Sequence, residues 1–205
     1  MTKNVLILCI SMLCFSCNST VEQSEQLMEY LINAENNLYW EAVNNDILFA
    51  AYIRPSSLLA EQEARAFSSV TPNTLDSIFS LYNQNLYIML ELSKNNKAIL
   101  QQVASPADYT ELVSVLSFRM HDYVYLVTSK NDTITPIDYQ FGQYYGMEIS
   151  NSLLFSFPAE PLLKQRKFDL IIDDFGIGTT PVRFTFRTKD IKRIPHLNPY
   201  KEDES

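Results

Sequence analysis

The sequence predicts an α+β protein in which N-terminal helices pack beside a C-terminal antiparallel β-sandwich. Apolar residues recur at helical spacing early in the chain, from Leu27 to Val43 and again between Ser57 and Tyr82. Later runs alternate at period two. In the clearest, Val182, Phe184 and Phe186 would face a core while Arg183, Thr185 and Arg187 face water. The four glycines are Gly142, Gly146, Gly176 and Gly178. The preceding stretch is therefore expected to join its elements by Pro, Asn and Ser chemistry rather than by αL turns.

Taken in order, Leu27, Leu31, Leu38, Ala42 and Val43 line one side of a pattern that has Glu25, Glu29, Asn33 and Asn37 opposite. This predicts an amphipathic helix of about five turns. The apolar run Ile47 to Ile53 stops at Arg54-Pro55 and reads either as a strand or as a helix broken by proline. Ser57 to Phe67 has a helical pattern. Thr71-Pro72 places a capping hydroxyl before a proline at the first helical position, which predicts a helix to about Tyr82. Ser105-Pro106 repeats that signal ahead of Leu112 and Leu116. Leu86 to Leu92 reads as a strand, and Phe118 to Thr128 as a long one. A turn at residues 129–132 leads into a strand from Thr133 to Phe141. Leu153 to Phe157, Phe168 to Ile172 and Val182 to Arg187 complete the set, punctuated by prolines and by Gly176 and Gly178.

The net charge of −8 argues against general binding to nucleic acid or to an anionic membrane surface. That charge is unevenly placed: residues 18–120 hold 5 basic and 12 acidic side chains, and residues 160–193 hold 8 basic and 5 acidic. The chain ends in an acidic tail, residues 199–205.

Asp174-Phe175-Gly176, with His121-Asp122 before it, spells the metal-binding triplet of protein kinases. A kinase needs a glycine loop over the phosphates before these motifs, and no glycine occurs before Gly142, so the match is one of chance. Gly176-Ile-Gly178 is followed by Pro181 and an alternating strand rather than by a helix, and therefore reads as a hairpin turn. Asp173 and Asp174 are neighbours on a strand end and point to opposite faces, so they do not form one carboxylate site with Asp169. His121 and His196 are the only histidines, and neither has a partner in a recognisable metal or nucleophile pattern. No cofactor, metal site or catalytic group is expected. Tyr139, Phe141, Tyr144 and Tyr145 crowd around Gly142, with Asn151 shortly after. Exposed, these rings would stack on a sugar or anchor a partner; buried, they would form a corner beneath a glycine turn.

All three cysteines fall in the first 17 residues. Lys3 is followed by an apolar run of about eleven residues, Val5 to Phe15, too short to span a bilayer. Cys14-Phe-Ser-Cys17 then resembles the lipobox of bacterial lipoproteins, although Cys14 stands where leucine is commoner. The resemblance implies cleavage before Cys17 and acylation of that residue with palmitate-type chains, which would be the chain's contact with the membrane. The implied layout is a signal peptide over 1–16, a lipidated tether over 17–24, and a globular domain over 25–198. That domain would be helical over 25–82 and mainly β over 85–191, with the tail at 199–205. Asp76-Ser77-Ile78 and Asp132-Thr133-Ile134 are similar to sites that Bacteroidetes O-glycosylate on exported proteins, which marks Ser77 and Thr133. Residues 132–158 also resemble uncharacterised Bacteroidetes envelope lipoproteins. The resemblance implies an outer-membrane location, on either leaflet, and Asn18 after the anchor fits it. The expected function is a non-catalytic binding or structural module that contacts another envelope protein. The alternatives are a glycan-binding accessory protein using Tyr139 to Tyr145, and a hydrolase.

Overall fold

The computed structural model describes residues 20–21, 24–67, 71–142 and 149–197. In chain order these form β1 (Thr20–Val21), α1 (Ser24–Ile32), β2 (Tyr39–Asn44), β3 (Ile47–Arg54), α2 (Ser56–Arg65) and α3 (Pro72–Tyr82). Next come β4 (Asn85–Lys94), β5 (Lys97–Ala98), α4 (Pro106–Phe118), β6 (Val124–Thr128), β7 (Thr133–Ile134) and β8 (Asp138–Gly142). The chain closes with β9 (Asn151–Pro158), α5 (Ala159–Leu163), β10 (Lys167–Ile172), β11 (Val182–Arg187), α6 (Thr188–Ile191) and β12 (His196–Leu197). The architecture is α+β with two antiparallel sheets. The larger runs β2-β3-β4-β9-β8 with β5 beside β4, and the smaller runs β11-β10-β6-β7. A short parallel pair, β1 with β12, joins the two ends of the described chain.

Period-two alternation decides which face of each sheet is buried. In the larger sheet Ala51, Leu90 and Leu153 lie in one cross-strand row, and Ile53, Ile88 and Phe155 in the next. All six are inaccessible to solvent or nearly so. The smaller sheet repeats this with the rows Leu126, Leu170, Phe184 and Val124, Ile172, Val182. Both buried faces belong to one apolar cluster, which also takes Leu27 and Leu31 of α1 and Leu112, Val115 and Leu116 of α4. Each large side chain sealed this way contributes about 1.5–3 kcal/mol relative to exposure.

The period-two expectation for β11 holds: Val182, Phe184 and Phe186 are buried and Arg183 and Arg187 exposed. Capping chemistry also sets the starts of two helices as expected. Thr71 Oγ1 accepts from Thr74 N–H (3.2 Å) before α3, and Ser105 Oγ accepts from Ala107 N–H (3.2 Å) before α4.

Five expectations are corrected. The five-turn helix ends after Ile32, because Asn33 caps a short 3-10 turn and Asn37 takes φ 55° to leave it. Tyr39 to Asn44 then pairs with β3 as a hairpin strand. Helices are consequently not confined to the N-terminal part. β2 and β3 lie within residues 25–82, and α4, α5 and α6 are interleaved with the later strands. The long strand from Phe118 is instead the end of α4, a 3-10 turn at Met120–Asp122, and β6. The strand from Thr133 to Phe141 is split, with β7 in the smaller sheet and β8 in the larger. Residues 135–137, with Pro136 unable to donate a ladder hydrogen bond, carry the chain from one sheet to the other. Finally, αL turns do occur before the first glycine. Asn45 and Asp46 turn β2 into β3 with φ 50° and 61°, and Asn95 and Asn96 turn β4 into β5 with φ 52° and 57°.

Candidate functional site

A cleft of about 480 Å³ lies where three strands of the larger sheet reach the same end. β3 leaves its last residue, Arg54, at the rim and turns through Pro55 into α2. α3 returns through Asn83 to β4, and β9 passes into α5, whose first residue donates Ala159 N–H to the Gln84 carbonyl (3.1 Å). The remaining wall is the segment from Ile191 to Pro195. It is held by the pairing of β12 with β1 and by the Tyr30 hydroxyl, which donates to the Arg193 carbonyl (3.3 Å).

Ile53, Phe79, Leu86, Leu163 and Ile194 give the cleft an apolar lining. Ser56 Oγ donates to Asn83 Oδ1 on one wall, and the cations Arg54 and Lys192 both line the cleft. Arg54 is half-buried. Its Nε is shielded from solvent with no acceptor, and its Nη1 meets the Met28 sulfur at 3.4 Å. Neither Arg54 nor Lys192 forms an ion pair among the described residues. A volume of this size with apolar walls and a few polar groups has the character of a small-molecule site.

Arg54 also connects the cleft to the outward face of the larger sheet. There the Tyr39 hydroxyl donates to Glu41, and the Tyr52 hydroxyl donates to Glu91 Oε1 (3.3 Å). Burial and then the neighbouring Glu41 raise the Tyr39 phenol above its ordinary range. Burial first, and the negative Glu91 second, push Tyr52 up to about 12, against an opposing pull from Arg54. Both phenols are therefore neutral donors at physiological pH, and the carboxylates beside them are acceptors.

The aromatic stretch singled out in the sequence is in part structural. Tyr139 is half-buried, stacks on Phe155 with ring centroids 5.3 Å apart, and accepts from Met120 N–H through its hydroxyl (3.2 Å). Burial raises its phenol. Phe141 packs against the core, and buried Asn151 accepts from Leu100 N–H (3.1 Å). Tyr144 and Tyr145 lie outside the described residues, as does Cys17. Ser77 is exposed on α3, where its hydroxyl donates to the Asn73 carbonyl (2.8 Å), and Thr133 is exposed on β7.

The acids considered for chemistry are engaged elsewhere. Asp169 accepts from Thr185 Oγ1 (2.7 Å) and Arg183 Nη1 (3.3 Å). Asp174 Oδ1 accepts from the Ile177 and Thr179 amides (3.0 and 3.2 Å) and so organises the β10–β11 turn. Asp173 donates its amide to the Tyr123 carbonyl (2.8 Å), and burial and the Asp173 carboxylate together raise the Tyr125 phenol. His121 is exposed beside Asp122, 3.2 Å away. His196 sits in β12. The described residues contain no group of three or more side chains placed to share a metal ion. They also contain no helix long and apolar enough to cross a membrane.

Sequence reasoning missed the cleft. Its sole local signal is Arg54, a charge closing the apolar run from Ile47, which had been read as a stop. The chain is thus an α+β protein of two antiparallel sheets with an apolar, cation-bearing cleft. No family model, curated protein or solved structure matches it.

Proposed function

We propose that the protein is an envelope lipoprotein, anchored to the outer membrane through acylated Cys17, that acts as a non-catalytic binding module. Its two sheets stack as a β-sandwich, and its binding site is the cleft beneath Arg54. The observation that carries this reading is the cleft itself. It combines about 480 Å³ of largely apolar space with two cations that lack an ion-pair partner among the described residues. The lipobox-like stretch supports the anchor. Thr20, three residues beyond Cys17, pairs with His196, which follows cleft-lining Pro195. Three residues reach at most about 10 Å, so an acyl chain on Cys17 would tether the molecule near this cleft.

Two measurements test the reading. Cys17→Ser should move the protein into the aqueous phase of a detergent partition, and unchanged membrane association would refute the anchor. Well-folded His121→Ala and Asp173→Asn variants should retain cellular function, because the activity resides in a binding surface. Loss of function in either would favour the hydrolase.

A further inference from the structure

We infer that the cleft binds an anionic amphiphile, a carboxylate or phosphate head on a short apolar chain, with Arg54 and Lys192 holding the head. This rests on the binding-module reading and specifies its ligand. The argument begins with Arg54. A guanidinium presents five N–H donors and cannot shed its charge, so a shielded Nε without an acceptor is costly unless something supplies one. Here Nε has no acceptor, and Nη1 meets a thioether sulfur, which is a weak one. The Tyr52 hydroxyl also engages the guanidinium, but burial and Glu91 keep that phenol protonated, so it brings Arg54 no formal negative charge.

Lys192, on the Ile191–Pro195 segment, lines the same cleft, again without an ion pair among the described residues. Two cations on one cleft, neither in an ion pair among the described residues, in a chain of net charge −8 favour a negatively charged ligand over a neutral one. Carboxylate and phosphate both match the guanidinium fork. The rest of the lining sets the body of the ligand. The side chains of Phe79, Leu86, Leu163 and Ile194 offer no hydrogen bonds, so a polar group laid against that part of the lining would lose hydration without replacement. An alkyl chain gains from the same contact, by apolar area removed from water.

Calorimetric titration of the full-length protein in mild detergent tests this with four probes: octanoate, octyl phosphate, 1-octanol and acetate. Octanoate or octyl phosphate should bind saturably, at least about tenfold more tightly than 1-octanol, which has the chain alone, or acetate, which has the head alone. Whichever anionic probe binds more tightly identifies a carboxylate or a phosphate source. Arg54→Gln should weaken that probe about tenfold or more and leave 1-octanol unchanged. Lys192→Gln, on an exposed side chain whose loss leaves the fold intact, should weaken it severalfold. Arg183→Gln, away from the cleft, should have no effect. Equal binding of 1-octanol and octanoate would overturn the inference, as would wild-type affinity in Lys192→Gln or no binding of either anionic probe. Failure of the binding-module reading is separately visible: function would be lost in His121→Ala or Asp173→Asn while probe affinity persisted.

Discussion

Asparagine does in this chain what glycine does in most. Asn37, Asn45, Asn95, Asn96 and Asn131 all hold positive φ, with Asp46 beside them. For residues with a Cβ this region is strained, and Asn and Asp enter it more readily because their short polar side chains bond locally. Asn45 has a second duty: its Nδ2 donates to the Gly178 carbonyl (3.1 Å), tying the β2–β3 turn to the β10–β11 turn. Gly178 has φ 74° and would place a Cβ 3.4 Å from that Nδ2, so the approach also depends on glycine there. Among the described residues Asn96 carries no such bond, and it is the second turn residue between β4 and β5, where a type I′ hairpin prefers glycine. Asn96→Gly should therefore raise stability by up to about 1 kcal/mol, whereas Asn96→Ala should lower it by about 1–2 kcal/mol. Urea midpoints of the two variants on opposite sides of wild type would bear this out. The same order for both, or no change in either, would show that the turn is not strained.

Elements were legible from sequence where proline and a capping hydroxyl punctuate them. α3 and α4 begin where Thr71-Pro72 and Ser105-Pro106 indicate, β9 and β10 form where their apolar runs lie, and β11 follows its alternating pattern. β2 was not legible. Its residues continue the helical spacing of α1, and the break is made by Asn33 and Asn37, which are ordinary helix-surface residues until they adopt cap geometry. The passage from β7 to β8 was hidden because one extended run serves two sheets, and only pairing partners distinguish them. The cleft was hidden for a related reason: four segments far apart in sequence supply its walls, and none carries a motif. At the strand the sequence read best, a sharp contrast is expected. Phe184 is 4% exposed and sits opposite Leu170 in the core, while Arg183 is exposed and reaches only Asp169. Phe184→Ala should cost about 3–5 kcal/mol and Arg183→Ala no more than about half a kcal/mol. Indistinguishable denaturant midpoints would contradict the burial of this face.

Across the whole molecule, raised phenols form a recurring electrostatic theme in an already acidic chain. Tyr39, Tyr52, Tyr82, Tyr125 and Tyr139 all resist ionisation, Tyr82 through its hydrogen bond to Glu63 and then burial, reaching about 12. For each, the proton is held more tightly in the folded chain than in the unfolded one, where a tyrosine titrates near pH 10. Below pH about 10 both states are protonated and the stabilisation is complete. Between about 10 and 12 the unfolded chain loses protons first, so it binds fewer than the folded chain, and stability falls as pH rises. Tyr52 is the best single probe because it is 7% exposed and its shift has two defined causes, burial and Glu91. Wild-type urea midpoints should stay nearly flat from pH 7 to 9 and fall above 10. In Tyr52→Phe the fall should be shallower, by up to about 1.4 kcal/mol per pH unit, whatever that variant's stability at neutral pH. Comparing slopes removes the common contribution of lysine deprotonation. Parallel slopes for the two proteins would mean that Tyr52 ionises in the folded chain as freely as in the unfolded one, and that its burial against Tyr39 and Glu91 is wrong.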